Sequence, residues 1–122
     1  NHALLWDQVS NAVECFWDDL EKLGKREETV IWMFSEFGRR IADNGTGTDH
    51  GSGGVAFVLG DSVNGGLYGE YPKLGLSDQL EGDVHFNTDF RQVYATLLED
   101  VLGVESEPVL KDKFSTLDLV KS

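Results

Sequence analysis

Glycine is distributed very unevenly along this chain, and that distribution limits what the middle of the chain can fold into. Eleven of the 14 glycines lie between Gly38 and Gly75. Most of the backbone freedom of the chain is therefore concentrated in this segment. The sequence predicts one buried strand within it, bracketed by glycines, and helices before and after the segment.

The segment before the glycine-rich region has helical periodicity. Apolar residues recur at steps of three and four from Leu5 to Leu23, which is the pattern of an amphipathic helix. Gly24 follows at once and supplies a C-terminal stop. We expect the apolar stripe to face a core, and the single cysteine, Cys15, to be a buried and unreactive thiol beside it.

A second helix is predicted after the glycine-rich region. It extends from about residue 89 to residue 102 and carries apolar residues on one face. Asn87 or Thr88 is placed to cap its start, and Gly103 to end it.

Two apolar runs predict strands. Thr29–Phe34 and Val55–Leu59 are rich in β-branched and aromatic residues and do not alternate with polar ones. Such runs are typical of parallel strands that are covered on both faces. The predicted fold class is α/β, with a partial parallel-type sheet flanked by helices in one domain over residues 1–122. So small a sheet has open edges, so we expect it either to pair with another copy as a homo-oligomer or to be part of a larger sheet.

Charge and hydropathy exclude two classes of partner. The chain has 22 acidic and 10 basic residues and a formal net charge of −12. Because nucleic-acid phosphates would be repelled, no nucleic-acid partner is expected. No apolar stretch approaches the length of a transmembrane helix.

Polar residues with useful chemistry follow the first predicted strand. Glu36 is placed where a metal ligand or general base would act, and Arg39 where an anion would bind, although the two could equally form a surface ion pair. Asp49 and His50 offer further metal-ligating atoms in a glycine-rich loop. An isolated Asp-His pair is also common in solvated turns.

A different site is conceivable around Ser62. Gly60-Asp61-Ser62 follows the second predicted strand and resembles the nucleophile block of the GDSL serine hydrolases. Asp83-Val84-His85 resembles the Asp-x-x-His block of that family but is one residue short. A β-turn at Asp61-Ser62 is the simpler interpretation.

Four segments in order resemble a known family. They are residues 29–39, which include Ser-Glu-Phe-Gly-Arg, and residues 47–51, 57–69 and 88–96. Together they closely resemble the C-terminal part of the bacterial "domain of unknown function 1501" family, which is grouped with the alkaline phosphatase and sulfatase superfamily.

The resemblance implies a function as well as a fold. Family members are several times longer, so the chain would be the C-terminal part of an alkaline-phosphatase-like domain whose nucleophile lies upstream. Glu36, Asp49 and His50 would contribute to a site for a divalent metal (Zn²⁺ or Mn²⁺), and Arg39 would bind a small anionic ester. Such a chain would not be catalytically competent alone, and a periplasmic or exported location would follow. The alternatives are a non-catalytic, self-associating binding module and, third, a GDSL-type serine hydrolase.

Overall fold

The structure, a computed structural model, describes residues 2–121, and these form two compact units. The first unit contains residues 2–61 and 73–85, and the second contains residues 62–72 and 86–121. All three tryptophans belong to the first unit and all three tyrosines to the second. The two units therefore carry different intrinsic spectroscopic probes.

The first unit begins with helix α1, His2–Lys22, as the periodicity predicts. Gly24 ends it with a left-handed φ of 66°, and the N–H of Lys25 donates to the carbonyl of Leu20 at 2.8 Å. Arg26 then folds back, with its guanidinium 4.9 Å from the centre of the Trp17 ring. The predicted helix and its glycine stop are confirmed.

The burial of α1 differs from the prediction. Among its described residues only Leu20 is buried, whereas Leu5 and Phe16 are more than half exposed. Cys15 is also exposed, so the prediction of a buried thiol is wrong. The reason is geometric: five residues correspond to about 140° around a helix, which turns Cys15 away from the side that buries Leu20.

Four short strands follow and form two separate antiparallel pairs. Strand β1, Ile31–Met33, pairs with β4, Phe57–Leu59. Strand β2, Gly38–Asp43, pairs with β3, Thr48–Gly51. In the described part of the chain there is no parallel pair. The fold is mixed α/β, and the predicted parallel-type sheet flanked by helices is wrong.

The connection between β1 and β4 explains why they pair antiparallel. A parallel partner would require a crossover between β1 and β4, but the intervening chain forms the β2–β3 hairpin and returns in the opposite direction. The strands are also only half-buried over most of their length, with Phe57 40% exposed. A run of apolar residues without alternation therefore did not indicate that both faces were covered.

The β2–β3 hairpin depends on a contact between two glycines. The N–H of Arg39 donates to the carbonyl of Gly53 at 3.0 Å. A Cβ placed on Gly38 would lie 1.7 Å from that carbonyl oxygen. Since no side chain fits there, glycine at position 38 is required for the chain after β3 to lie against the start of β2.

The second unit contains α2, Phe90–Thr96, which continues as a π-helical turn over Leu97–Val101, and the short α3, Glu107–Leu110. Asp89 caps α2 and forms a capping box with Gln92. The predicted helix is confirmed.

The N-cap of α2 differs from the one predicted, whereas the glycine after the helix is as predicted. Asn87 and Thr88 are not the N-cap of α2, because Asp89 occupies that position. Asn87 instead exchanges hydrogen bonds with the backbone of Glu70. Gly103 adopts a left-handed φ of 64° after the π-helical turn, consistent with the predicted stop. None of the helices within residues 2–121 is both long and apolar enough to cross a membrane.

Substitution of Gly38 by alanine tests the hairpin contact. The new methyl group would overlap the Gly53 backbone, which cannot move without breaking the Arg39 N–H bond. We expect Gly38→Ala to lower the free energy of unfolding by about 3 kcal/mol. Urea denaturation followed by tryptophan fluorescence reports on the unit that contains the contact.

Gly47→Ala is the matched control within the first unit, because the atom nearest to a Cβ at Gly47 is the Nε2 of the exposed His2 side chain, at 3.1 Å, which can move aside. We expect this variant to be within about 0.5 kcal/mol of wild type. Equal midpoints for Gly38→Ala and Gly47→Ala would show that the glycine contact is not formed.

We expect the stability of the second unit to depend on pH through the carboxyl group of Asp89. Hydrogen bonds from Arg91 lower the pKa of the Asp89 carboxyl below its ordinary value of 3.8. A carboxyl with a depressed folded-state pKa stabilises the fold above its unfolded pKa, and this is lost as the pH falls through the folded value. We expect Asp89→Ala to cost about 1 kcal/mol at pH 7 and less at pH values below the folded pKa.

Near-ultraviolet circular dichroism of the tyrosines follows this transition. Asp89→Asn keeps a capping oxygen without the charge, so at pH 7 it should be less stable than wild type and more stable than Asp89→Ala, and it should lose the acid dependence. A constant cost of Asp89→Ala at all pH values would contradict the assigned role of the charge.

Candidate functional site

Arg39 and His50 lie directly opposite each other in the β2–β3 hairpin. Residues paired across an antiparallel ladder project from the same face of the sheet. The Nη1 of Arg39 also donates to the carbonyl oxygen of Thr48 at 2.8 Å, which holds the guanidinium beside β3. The hairpin therefore places a permanent cation next to an imidazole.

An aromatic ring completes this group. The Phe37 ring stacks on the His50 imidazole, with 3.6 Å between centroids and 18° between planes. The Cζ of Arg39 lies 6.0 Å from the centre of the same Phe37 ring. All three side chains are exposed. We call Phe37, Arg39 and His50 the Arg39–His50 face.

Asp49 projects from the opposite face of the hairpin, because successive residues of a strand alternate. Its Oδ1 accepts a hydrogen bond from the Nδ2 of Asn44 at 2.8 Å. On that side Asp49 lines an open cavity of about 420 Å³ with Arg40, Leu76 and Gln79 among its other walls. The structure does not bring Asp49 and His50 together, although they are neighbours in sequence.

Arg40 has a structural role in the same unit. Its guanidinium donates to the carbonyl of Glu81, and its Nε lies 3.6 Å from the Oδ1 of Asp83. A backbone bridge also joins Arg40 and Asp83. These contacts hold the turn around Glu81 against the hairpin.

Glu36 lies in the exposed bend between β1 and β2, next to Phe37. Its carboxylate forms no hydrogen bond or ion pair with another described residue. Across residues 2–121, no three His, Cys, Asp or Glu side chains come close enough to hold a metal ion. Of the four predicted site residues, only Arg39 and His50 lie on one face of the hairpin.

The three residues of the serine hydrolase hypothesis belong to different units. Ser62 belongs to the second unit, where its carbonyl accepts from the N–H of Lys121 at 2.7 Å. Asp83 and His85 belong to the first unit, and the Asp83 carboxylate faces Arg40.

The β2–β3 hairpin was not predicted from the sequence, and neither were the contacts that Phe37 makes with His50 and Asn44 makes with Asp49. A signal was present, because Asn44-Gly45 is a dipeptide strongly associated with hairpin turns. In the structure the Asn44 Oδ1 accepts from the N–H groups of Thr46 and Gly47 at 3.1 and 3.0 Å, and Gly45 has a φ of 93°. The stacking of Phe37 on His50 has no sequence signal, since it depends on how the chain enters β2.

Comparison with known proteins identifies the family. No curated protein and no solved structure matches this chain significantly. The family described as "Protein of unknown function (DUF1501)" matches residues 1–111, which is nearly the whole chain. The chain therefore belongs to the DUF1501 family.

Proposed function

We propose that this chain supplies part of the active site of a divalent-metal-dependent phospho- or sulfo-ester hydrolase, and that residues beyond those described complete the site. The observation that carries the proposal is the pairing of Arg39 with His50 on one exposed face of the hairpin. Its membership of the DUF1501 family is compatible with the proposal. The relation of that family to the alkaline phosphatase and sulfatase superfamily is part of the proposal.

Arg39 is suited to the anionic part of such a substrate. Its Nη1 is engaged by the Thr48 carbonyl, and its other N–H groups have no hydrogen-bond partner among the described residues. A guanidinium presents a planar fork that matches two oxygens of a phosphate or sulfate group. In a chain with a net charge of −12, a locally fixed cation is needed to attract such an anion.

His50 is the proposed metal ligand of this face. An imidazole nitrogen suits Zn²⁺ and is also used for Mn²⁺, and the stacked Phe37 ring restricts the rotation of the imidazole. We assign Glu36 as a second ligand, since its carboxylate is free of other described partners. Asp49 receives a positioning role: through Asn44 it fixes the turn that sets the hairpin register.

The metal would polarise the ester and generate or stabilise an oxygen nucleophile. The residues of this chain bind and orient: Arg39 holds the anionic group and His50 offers its nitrogen from the same face. Because two ligands do not complete a metal site, we expect no ester hydrolysis by the 122-residue chain alone.

Paramagnetic broadening by Mn²⁺ tests the assignment of His50. The chain has three histidines, and His85 is exposed like His50. In a titration with substoichiometric Mn²⁺, we expect the imidazole resonances of His50 to broaden at least about fivefold more than those of His85. The readout is the nuclear magnetic resonance linewidth of each histidine.

Glu36→Gln is the informative variant and Glu105→Gln its matched control, since both remove one exposed carboxylate. We expect only Glu36→Gln to reduce the broadening at His50. Equal broadening of His50 and His85 would contradict the proposed site.

A further inference from the structure

The chain contains two Asn-Gly dipeptides, and they lie in different surroundings. Asn44-Gly45 forms part of the turn between β2 and β3, and Asn64-Gly65 belongs to the second unit. Glycine has no side chain to shield its backbone nitrogen. That nitrogen can attack the side-chain carbonyl carbon of the preceding asparagine and close a five-membered succinimide ring. The groups that surround each asparagine decide how readily this happens.

At Asn44 the attacking nitrogen has a base beside it. The N–H of Gly45 donates to the Oδ1 of Asp43, the last residue of β2, at 2.6 Å. A Cβ built on Gly45 meets no atom within 4 Å, so the nitrogen is not crowded by other parts of the unit. A carboxylate at hydrogen-bond distance can take the proton from the nitrogen as the new bond forms.

The carbonyl group that would be attacked is polarised by three donors. The Oδ1 of Asn44 accepts hydrogen bonds from the N–H of Thr46 at 3.1 Å, from the Thr46 hydroxyl at 3.2 Å and from the N–H of Gly47 at 3.0 Å. Negative charge develops on this oxygen when a nucleophile attacks the carbon. Donors that already point at the oxygen stabilise that charge, as an oxyanion hole does for a bound substrate.

The side-chain nitrogen of Asn44 is held as well. Its Nδ2 donates to the Oδ1 of Asp49 at 2.8 Å. The amide group is therefore fixed in one orientation, with its oxygen towards the three donors and its nitrogen towards β3. An amide that is already oriented loses less rotational freedom when the ring closes.

We propose that the turn of residues 43–47 promotes the conversion of Asn44 into a succinimide and then into aspartate and isoaspartate. The Gly45 nitrogen bonds to the Cγ of Asn44, and its proton passes to the Asp43 carboxylate. The bond between Cγ and Nδ2 breaks, and Nδ2 leaves with that proton as ammonia. Water then opens the ring at either carbonyl, and no oxidant or cofactor is consumed. The proposal goes beyond the hydrolase function and does not depend on it.

Asn64 lacks this arrangement, although it also precedes a glycine. Its Nδ2 lies 3.2 Å from the Oδ1 of Asp118 and 3.3 Å from the carbonyl oxygens of Asp118 and Val120. Within residues 2–121, no donor bonds to the Asn64 Oδ1, and no carboxylate accepts from the N–H of Gly65. The same dipeptide is thus present in the same chain without the base and without the polarised carbonyl.

Conversion would change the hairpin that carries the Arg39–His50 face. In place of an amide that donates to Asp49, position 44 would present a carboxylate, and neighbouring carboxylates repel each other. Isoaspartate also adds one carbon atom to the main chain between β2 and β3, which disturbs their register. The modification therefore sets a chemical lifetime for the Arg39–His50 face.

Timed incubation of the 122-residue chain at neutral pH, followed by digestion and mass spectrometry, measures the loss of each asparagine. Electron-transfer fragmentation distinguishes isoaspartate from aspartate. In the folded chain, we expect Asn44 to be lost at least about tenfold faster than Asn64. In urea, where both surroundings are lost, the two rates should agree within about threefold. Equal rates in the folded chain, or a difference that urea leaves unchanged, would overturn the proposal.

Two variants test the parts of the turn. Asp43→Asn keeps an acceptor for the Gly45 N–H without the base, and should slow the loss of Asn44 at least about fivefold. Glu14→Gln removes an exposed carboxylate from α1 and should change the rate less than about twofold. Thr46→Val removes the hydroxyl donor and should slow the loss about threefold, whereas Thr46→Ser keeps the hydroxyl and the wild-type rate.

Tryptophan fluorescence verifies that each variant is folded before its rate is compared. Thr46 is exposed and lies outside the strands, so its variants test the turn even where the substitution at the end of β2 prevents folding. An unchanged rate in the folded Asp43→Asn chain or in the folded Thr46→Val chain would overturn the proposal.

Discussion

The contact between Gly38 and Gly53 is the constraint on which the first unit depends. It joins the start of β2 to the segment after β3, and no side chain larger than hydrogen fits between the two backbones. The Arg39 N–H bond to the Gly53 carbonyl fixes the same contact. Further glycines allow other close approaches, such as Gly51 against the Asp83 carboxylate. The high glycine content of this region therefore serves close packing of backbone as well as turns.

The alternation of side chains along β2 and β3 determines which residues meet in the candidate site. Because side chains alternate along a strand, two neighbours such as Asp49 and His50 lie on opposite faces, whatever their chemistry. His50 thus meets Arg39 across the ladder, and Asp49 meets Asn44 near the turn. A shift of one residue in the register would exchange these faces and dismantle the Arg39–His50 face. Register is the property that relates this fold to its proposed function.

The sequence determined local elements better than their assembly. The periodicity of α1 and its Gly24 stop were predictable, because both depend on contacts within a few residues. The direction of pairing between β1 and β4 was not, because apolar runs carry no information on what lies between two strands. Cys15 was predicted to be buried because its neighbours in sequence are apolar, but it lies about 140° around the helix from Leu20 and is exposed. Arg39 and His50 could each be identified from the sequence as candidate site residues. That they pair with each other could not be predicted, because it depends on the register between β2 and β3.

The central claim is that the hairpin register places His50 with Phe37 and Arg39, and Asp49 with Asn44. Nuclear Overhauser contacts in the labelled chain measure this directly. The register described here predicts cross-peaks between the ring protons of Phe37 and His50, and none between the His50 ring and the side-chain amide of Asn44. Cross-peaks from the His50 ring to that amide, without any to Phe37, would show a register shifted by one residue and would contradict the account.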